Sequence, residues 1–477
     1  MTEPKFTSSG LVRELAEIMM AGVPTHIDWA ESLASVLVGM MCGMERYISN
    51  EYGKLYGNIF VIYIGASGLS FKTVPLKKVA RELVKMVTDR TNDLICQSYG
   101  VSLLEFKNAW EQSSQSPSWE KKTSGWKNER ARLESIKRRM VDYLAPQRFT
   151  SEFLVTWLNE HPQGAIMGDE YTKMVRGTKT KDYLSDTMED LSRLYDCDVE
   201  KVGTQTRGVE YPENAYISFC SATTYYLLTL MTDDFFIQGT GNRIIWILDD
   251  IREKIDVEKE AITAGFFWGI EEDQDFKDRL GHLAGKMMNI RHLPEGVVQL
   301  SFNASVMLDR YRLVKYNDAV DLFSEDLLNR DANLIARLAQ NAMKLALVHC
   351  IGRYAWEYDP DDPPLRMEVT EQDAKWAIEK MERHYVHYTK IRSVSARVRK
   401  GPTRSYADDQ ERVIYVIARL IGEGKKATKT MIMQATGWLK DDCQAILDAM
   451  LVTGMIEQQQ DVRSTKKYTY YTIKNKI

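Results

Sequence analysis

Short runs of consecutive apolar residues alternate with amphipathic stretches over the first half of the chain. Four of these runs, at 58–64, 165–167, 215–220 and 244–248, are rich in β-branched and aromatic residues. Such runs are typical of strands that are buried on both faces. The stretches between them, such as 73–90, repeat apolar residues at helical spacing. Strands that alternate with helices predict an α/β domain built on a parallel sheet.

Helical patterns flank this region on both sides. On the amino-terminal side, we expect Ser9 to cap a first helix and Asp28 to cap a long apolar helix that runs through Ile48. After about residue 256 the pattern is again mostly helical, with Asp331 and Thr370 as expected caps. The predicted organisation is a helical segment at 1–50, an α/β core at 51–255 and a helical lid at 256–398.

The last part of the chain has the pattern of a separate small domain at 407–477, which follows a linker at 399–406. Three helical patterns are followed by two β-rich pieces that a polar turn joins. Three helices and a β-hairpin are the arrangement of a winged helix, a variant of the helix-turn-helix.

Composition and charge exclude several classes of protein. Of the 477 residues, 44% are hydrophobic and 27% are charged, which excludes a disordered chain. The formal net charge is −4, so any contact with nucleic acid must come from local patches. No apolar run reaches the roughly 18 residues of a membrane span, and the first ten residues lack a signal core. We therefore expect a cytoplasmic protein with no membrane partner.

One local patch is strongly basic. The region at about 103–145 contains a stretch with eight lysines and arginines against three glutamates. Such a stretch is either a solvated helix face or an insertion that faces nucleic acid, and the sequence leaves both interpretations open.

The loop after the first apolar run has features of a phosphate-binding loop. Such a loop needs flexible backbone between a strand and a helix, a lysine to reach the phosphates, and a following Ser or Thr to hold Mg²⁺. Phe71 replaces the usual glycine before the lysine, and the loop is one residue longer than the standard pattern. The candidate residues for ATP are Gly65, Gly68, Ser70, Lys72 and Thr73, of which Thr73 would hold the metal. The alternative is an ordinary turn between strand and helix.

Asp169 and Glu170 follow the second apolar run. A P-loop ATPase has its Mg²⁺-linked aspartate and its water-activating glutamate at such a strand end. The alternative is a helix amino terminus, which favours acidic residues.

Three further positions carry candidate chemistry. Ser221 and Thr223 follow the third run, where they would either orient the attacking water or cap a helix. Arg243 precedes the fourth run, where it would either reach a neighbouring subunit's γ-phosphate as an arginine finger or pair with Asp249 or Asp250. Arg337 would be either a phosphate contact from the lid of the same chain or an ordinary surface charge.

In the order of its motifs the chain resembles the AAA+ ATPases, in particular the minichromosome-maintenance replicative helicases. More closely, residues 28–390 resemble a P-loop family of phage, plasmid and genomic-island proteins, catalogued as a domain of unknown function and often joined to primase modules. The resemblance is carried by NIFVIYIGASGLSFKTVPL, AIMGDEYTKMV, IQGTGNRIIWIL and KLALVHC followed by VTEQDAKWAI. Members of this family often carry a bulkier residue where Phe71 stands.

The resemblance implies a P-loop core and a role for each candidate. Lys72 and Thr73 would belong to the Walker A motif, and Asp169 and Glu170 to the Walker B motif. Ser221 and Thr223 would form sensor 1. Arg243 would be the arginine finger that acts in trans, and Arg337 would be sensor 2. It implies a homo-oligomer, expected to be a hexameric ring with ATP at subunit interfaces. The expected function is an ATP-hydrolysing DNA motor, helicase or replication initiator of a mobile genetic element. The alternative is a non-enzymatic DNA-binding switch with a degenerate nucleotide site.

The expected DNA contacts lie in the carboxyl-terminal domain. Its third helical pattern, at 441–452, carries three aspartates and no base, which argues against groove reading by that helix. We therefore expect weakly sequence-specific binding to phosphates. The expected contacts are Lys425, Lys426, Lys429, Arg463, Lys466 and Lys467.

Overall fold

The protein is a mixed α/β molecule that is mostly helical, as seen in a computed structural model. The chain divides into two compact units, Met1–Ser393 and Val394–Ile477. The structure describes residues 6–21, 25–50, 53–66, 71–117, 121, 123–147, 151–172, 187–198, 202–204, 208–210, 214–230, 239–249, 273–325, 330–399, 406–436, 443–444, 447–448, 450–451, 456–463 and 466–473.

A five-stranded parallel sheet forms the centre of the first unit. Its strands are β3 (Phe60–Ile64), β4 (Leu144–Ala145), β5 (Gln163–Gly168), β8 (Tyr216–Thr223) and β9 (Ile245–Leu248). They lie in the order β4-β5-β8-β3-β9, and every neighbouring pair is parallel. This confirms the predicted parallel sheet.

The order of the strands brings distant loops together. Because all five strands point the same way, their carboxyl ends lie along one edge of the sheet. β8 lies between β3 and β5, so the end of β8 stands between the loop at Gly65 and the acids after Gly168.

Helices surround the sheet and make up most of the unit. They are α1 (Gly10–Met20), α2 (Ile27–Cys42), α3 (Arg81–Ser98), α4 (Leu103–Gln115), α5 (Ser124–Lys137), α6 (Ser151–Glu160), α7 (Thr187–Tyr195), α8 (Leu227–Leu230), α9 (Gln274–Asn289), α10 (Phe302–Glu325), α11 (Arg330–Glu357) and α12 (Glu371–Arg399). A π-helical turn, Pro75–Ala80, precedes α3, and short 3₁₀ turns span Gly241–Arg243 and Ile290–His292.

Short strands outside the parallel sheet pair locally. β1 (Arg46–Asn50) pairs with β2 (Gly53–Tyr56) and with β10 (Gly296–Val297). β11 (Gln299–Leu300) pairs with β12 (Glu368–Val369), and β6 (Val202–Thr204) pairs with β7 (Gly208–Glu210).

One continuous hydrophobic core joins the amino-terminal helices, the sheet and the helices after residue 273. α11 packs against α1, α2 and α10, and buried residues from Leu11 to Met381 belong to the same cluster. The segments predicted as an amino-terminal piece, a core and a lid therefore share one interior. Burial on this scale is the main favourable contribution to folding.

Two sequence expectations are corrected by the backbone. The helix at Asp28 ends at Cys42 rather than running through Ile48, because Gly43 adopts φ +65°, a left-handed conformation that stops helices. His26, not Asp28, is its N-cap residue, and the ring of His26 accepts a hydrogen bond from the Asp28 amide. Ser221 and Thr223 lie inside β8, so neither caps a helix there.

The second unit contains α13 (Tyr406–Gly422), α14 (Lys429–Thr436) and the antiparallel strands β13 (Ile456–Arg463) and β14 (Lys466–Ile473). Ala427, between the two helices, forms a bridge to Tyr471 of β14. Its core includes Cys443, Leu447 and Met450 of the predicted third helix. The rest of that helix lies largely outside the described residues, so the winged-helix assignment stays a prediction.

Within the part of the chain that the structure describes, no helix has both the length and the apolar character needed to cross a membrane.

Candidate functional site

Lys72 lies at the carboxyl edge of the sheet, where its ammonium group folds back onto the preceding loop. Its Nζ donates a hydrogen bond to the carbonyl oxygen of Gly65 at 2.8 Å, and only 7% of the residue is exposed. Burial lowers the pKa of Lys72, while the charges of Glu170 and Asp249 act in the opposite direction. The two carboxylates offset the charge of Lys72, so an anion that binds here would need a metal cation beside it to balance them.

Phe71 has an unusual backbone conformation for a large residue. Its φ is +46°, in the left-handed region that glycine adopts without steric cost. The glycine of the standard loop pattern would stand at this same position, just before Lys72. Phe71 therefore has the backbone conformation that a glycine would adopt at this position. Thr73 follows as the first helical residue and is half-buried, and the candidates Gly68 and Ser70 lie outside the described residues.

The two acids after β5 have different partners. Oδ2 of Asp169 is 2.6 Å from Nζ of Lys77. This hydrogen bond from Lys77 is the main cause that lowers the pKa of Asp169. Oε1 of Glu170 accepts a hydrogen bond from the Thr223 hydroxyl at 2.9 Å. Glu170 is thus held at the end of the neighbouring strand, close to Lys72.

Of the two candidate hydroxyl residues in β8, Ser221 and Thr223, only Thr223 reaches the acids. Its Oγ1 also lies 2.5 Å from the hydroxyl of Thr172. Ser221 is buried further back in the strand, where its Oγ contacts the carbonyl oxygen of Ala222 at 3.5 Å. A Cβ on Gly168 would come within 2.7 Å of the Ser221 hydroxyl, so glycine is needed for this close approach.

Three residues of this edge were not identified as site residues from the sequence. Lys77 pairs with Asp169, and Arg81 donates to the carbonyl oxygen of Met167 at 2.6 Å. Asp249, at the end of β9, is buried and contributes to the field around Lys72. Lys77 could have been found from the sequence, because the basic turn after Thr73 begins beside the carboxyl ends of the strands, where the acids were expected.

Arg243 and Arg337 lie at the opposite edge of the sheet. Arg243 precedes β9, at the amino end of that strand, and its Nη2 and Nε lie 2.6 and 3.1 Å from Oδ2 of Asp196. Nη1 of Arg337 is 3.9 Å from Oδ1 of the same aspartate. The sequence had offered Asp249 or Asp250 as partners of Arg243. Neither arginine joins Lys72 and Glu170 within one chain, because a strand of five residues separates the edges by about 15 Å.

A third cation lies close to the two arginines. Lys344, on α11, is fully buried, and its Nζ donates to Oδ1 of Asn58 at 2.7 Å and to the carbonyl of Tyr195 at 2.8 Å. Burial lowers the pKa of Lys344 to about 8.

The lysines of the second unit have short-range partners. Lys425 pairs with the glutamate two residues before it, at 2.8 Å. Nζ of Lys426 lies 4.7 Å from the ring centre of Tyr470. Lys429 donates to Oε1 of Gln444 at 2.6 Å. Lys425 and Lys426 are exposed, whereas Lys429 is half-buried.

The remaining three DNA-contact candidates lie at the tip of the hairpin. The register of β13 and β14 sets Arg463 opposite Lys466 and Val462 opposite Lys467. Three basic positions therefore share the end of the hairpin that the predicted wing would present.

A separate group, His26, Asp28 and His387, brings possible metal-ligating atoms within 4.8 Å of one another. Burial by itself would raise the pKa of Asp28, but Lys380, a hydrogen bond from His387 and Arg383 hold it well below its usual range. Nζ of Lys380 and Nε of Arg383 lie 3.1 and 2.9 Å from the Asp28 carboxylate. Asp28 shares these two cations with Glu31, so a metal ion would have to displace ion pairs that are already formed. The group instead ties α2 to α12.

No model of a known protein family matches this chain, and no curated protein matches it at a significant level.

Proposed function

We propose that this protein is an ATP-hydrolysing DNA motor, a helicase or replication initiator of a mobile genetic element. The observation that carries the proposal is the common position of Lys72, Glu170 and Thr223 at the carboxyl ends of neighbouring parallel strands. In open α/β sheets, ligands bind outside this edge.

The chemistry of these groups suits phosphoryl transfer to water. Lys72 would exchange the Gly65 carbonyl for phosphate oxygens, which are stronger acceptors because they are charged. Asp169 and Thr73 would hold Mg²⁺, with Asp169 released from Lys77. Glu170, oriented by Thr223, would accept the proton of the attacking water.

The opposite edge supports an assembly in which subunits share sites. Arg243 and Arg337 share the single carboxylate of Asp196 among the described contacts, so the cluster carries excess positive charge that suits a partner's phosphate. Heterologous contacts that close into a ring join two different surfaces of neighbouring subunits. In the proposed ring these surfaces are the amino edge of one sheet and the carboxyl edge of the next. We infer a homo-oligomer, with a hexamer as the expected form.

A non-enzymatic DNA-binding switch is the second candidate. It is favoured by the hydrogen bond between Lys72 and Gly65, which occupies the ammonium group that a nucleotide would need, and by Phe71, which replaces the glycine of the standard loop pattern. In that case the hairpin and lysines of the second unit would carry the function.

The test is ATP binding with Mg²⁺, and ATP hydrolysis with and without DNA, on the purified full-length chain. Lys72→Ala should weaken ATP binding roughly ten- to hundredfold, as the loss of a charged hydrogen bond does. The matched control is Lys85→Ala, which removes an exposed lysine of α3 and should bind ATP as wild type does. Wild-type protein that binds DNA but no ATP would leave the switch as the function.

A further inference from the structure

The region between α3 and β4 forms a small helical module with its own interior. α4 and α5 pack on the end of α3 around Cys96, Phe106, Leu133, Ile136 and Met140, in a cluster distinct from the main core. The module is anchored to α3, since the side chain of Asn92 exchanges hydrogen bonds with the backbone of Val141 at 2.9 and 3.0 Å. The apolar residues of the module are therefore buried in its own interior, whereas its charged residues have no role in that packing.

The charges of the module are unevenly distributed between its two helices. α4 carries Lys107 against Glu105 and Glu111. Residues 124–140, which cover α5 and the turn after it, carry six bases against Glu129 and Glu134, a net charge of +4 in a chain whose net charge is −4. The positive charge is thus concentrated on α5.

The acids of α5 neutralise only some of its bases. Arg130 pairs with Glu134 at 3.0 Å and stacks over Trp110 at 3.8 Å, and Arg132 lies 3.7 Å from Glu129. The other four bases are exposed, and no ion pair joins them to a described residue. These four bases, which we call the α5 cations, are Lys127, Lys137, Arg138 and Arg139.

The spacing of the α5 cations suits an extended polyanion. Lys127 and Arg138 lie on the same side of the helix, about 16 Å apart along its axis at 1.5 Å per residue. Between them on this side, Ala131 and Ser135 are small and exposed. Glu134 lies on the same side, and its charge is paired with Arg130 at 3.0 Å, so a phosphate backbone can approach closely. Roughly ten phosphate charges lie along that length of a DNA duplex.

We propose that the α5 cations form a contact surface for the phosphodiester backbone of nucleic acid. The surface has no part in the predicted wing and lies outside the nucleotide site. The proposal rests on the proposed function only for the expectation that the nucleic acid is DNA. A backbone contact of this kind is not specific for sequence, since phosphates are the same in every sequence.

The test is a salt titration of binding by the full-length chain to a 30-base-pair duplex and to a single strand of the same length, without nucleotide. The variant replaces the α5 cations by glutamine, as Lys127→Gln, Lys137→Gln, Arg138→Gln and Arg139→Gln. The matched control replaces two lysines and two arginines that are exposed elsewhere on the same unit: Lys277→Gln, Arg279→Gln, Arg366→Gln and Lys375→Gln. Both sets are also introduced into a chain whose hairpin tip is neutralised by Arg463→Ala, Lys466→Ala and Lys467→Ala.

We expect the α5 variant to bind the duplex more weakly than wild type does. Its plot of log affinity against log salt should flatten by roughly 0.9 for each phosphate that the surface no longer binds, or by roughly 0.7 for the single strand. The control should keep the wild-type slope. Thermal melting of each variant, compared with wild type, separates weaker binding from impaired folding, because Lys137 to Arg139 also complement the carbonyl end of α5.

An unchanged slope in both backgrounds would overturn the proposal. So would an equal loss of binding to polyglutamate, which would make the surface a docking site for acidic protein. A chain that hydrolyses no ATP but shows the expected slopes would contradict the proposed motor and leave this surface standing.

Discussion

The Thr223 hydroxyl donates a hydrogen bond to Oε1 of Glu170 across 2.9 Å, and it thereby links the ends of two neighbouring strands. If Glu170 activates the attacking water, this bond fixes the direction of the glutamate. Glu170→Gln should therefore bind ATP as wild type does and hydrolyse it roughly 10²- to 10⁴-fold more slowly. Measurements of the ATP hydrolysis rate and of the equilibrium affinity for ATP, on the variant and on wild type, test this prediction. Hydrolysis at the wild-type rate would show that Glu170 is not the base.

Thr223→Val keeps the shape of the side chain and removes the hydrogen bond to Glu170. We expect turnover to fall by roughly tenfold, since a hydrogen bond to a charged group contributes about 1.5 kcal/mol. Ser221→Ala is the control, because it removes a buried hydroxyl of the same strand that does not contact Glu170. Equal losses in the two variants would point to packing rather than to positioning.

Phe71 is the residue at which the loop departs most from the standard pattern. Phe71→Gly removes the side chain and the steric cost of its left-handed backbone, whereas Phe71→Ala removes the ring and keeps that cost. The free energy of unfolding of the glycine variant should therefore be about 1 kcal/mol higher than that of the alanine variant. Denaturant melts measure the difference, and ATP titrations of the same proteins test binding. A more stable alanine variant would contradict the backbone assignment.

Arg243 and Arg337 share Asp196 at the edge opposite Lys72, so both should act on a neighbouring subunit. Arg243→Ala and Arg337→Ala should each bind ATP but lose turnover. Mixing either with Lys72→Ala should restore part of the activity, because mixed interfaces contain one intact site. A strictly monomeric, fully active ATPase would exclude this arrangement. Activity lost in Arg337→Ala and not restored by mixing would instead support the contact within one chain that the sequence suggested.

His384 should contribute to the dependence of stability on pH. Its Nδ1 accepts a hydrogen bond from the backbone amide of Trp246 at 2.8 Å, and burial lowers its pKa to about 4. Since the unfolded-state pKa is about 6.5, the unfolded chain binds this proton more readily. The contribution is complete above pH 6.5 and is lost as the pH falls toward 4, by at most about 3 kcal/mol.

Denaturant melts between pH 4 and 7 measure this contribution. His384→Gln should show a flatter pH dependence than wild type, whereas His292→Gln, at an exposed position, should follow the wild-type curve. Identical curves for wild type and His384→Gln would show that His384 is not the source.

The parallel sheet was predictable from the sequence because the property that identifies it is local. NIFVIYI and AYISFC are apolar on both sides of the strand, and only a strand covered on both faces needs that composition. The sequence also determined which residue types follow each strand, and therefore that Lys72, Asp169 and Glu170 belong to one edge.

The tertiary structure decided which of these residues meet, because strand order and helix packing depend on contacts between distant residues. The position of β8 between β3 and β5 selects Thr223 rather than Ser221 as the partner of Glu170. The turn before β9 and the packing of α11 bring Arg243 and Arg337 to Asp196, a residue that no local pattern marked. Local periodicity predicts which face of a segment is buried, but it does not indicate which other segment covers that face.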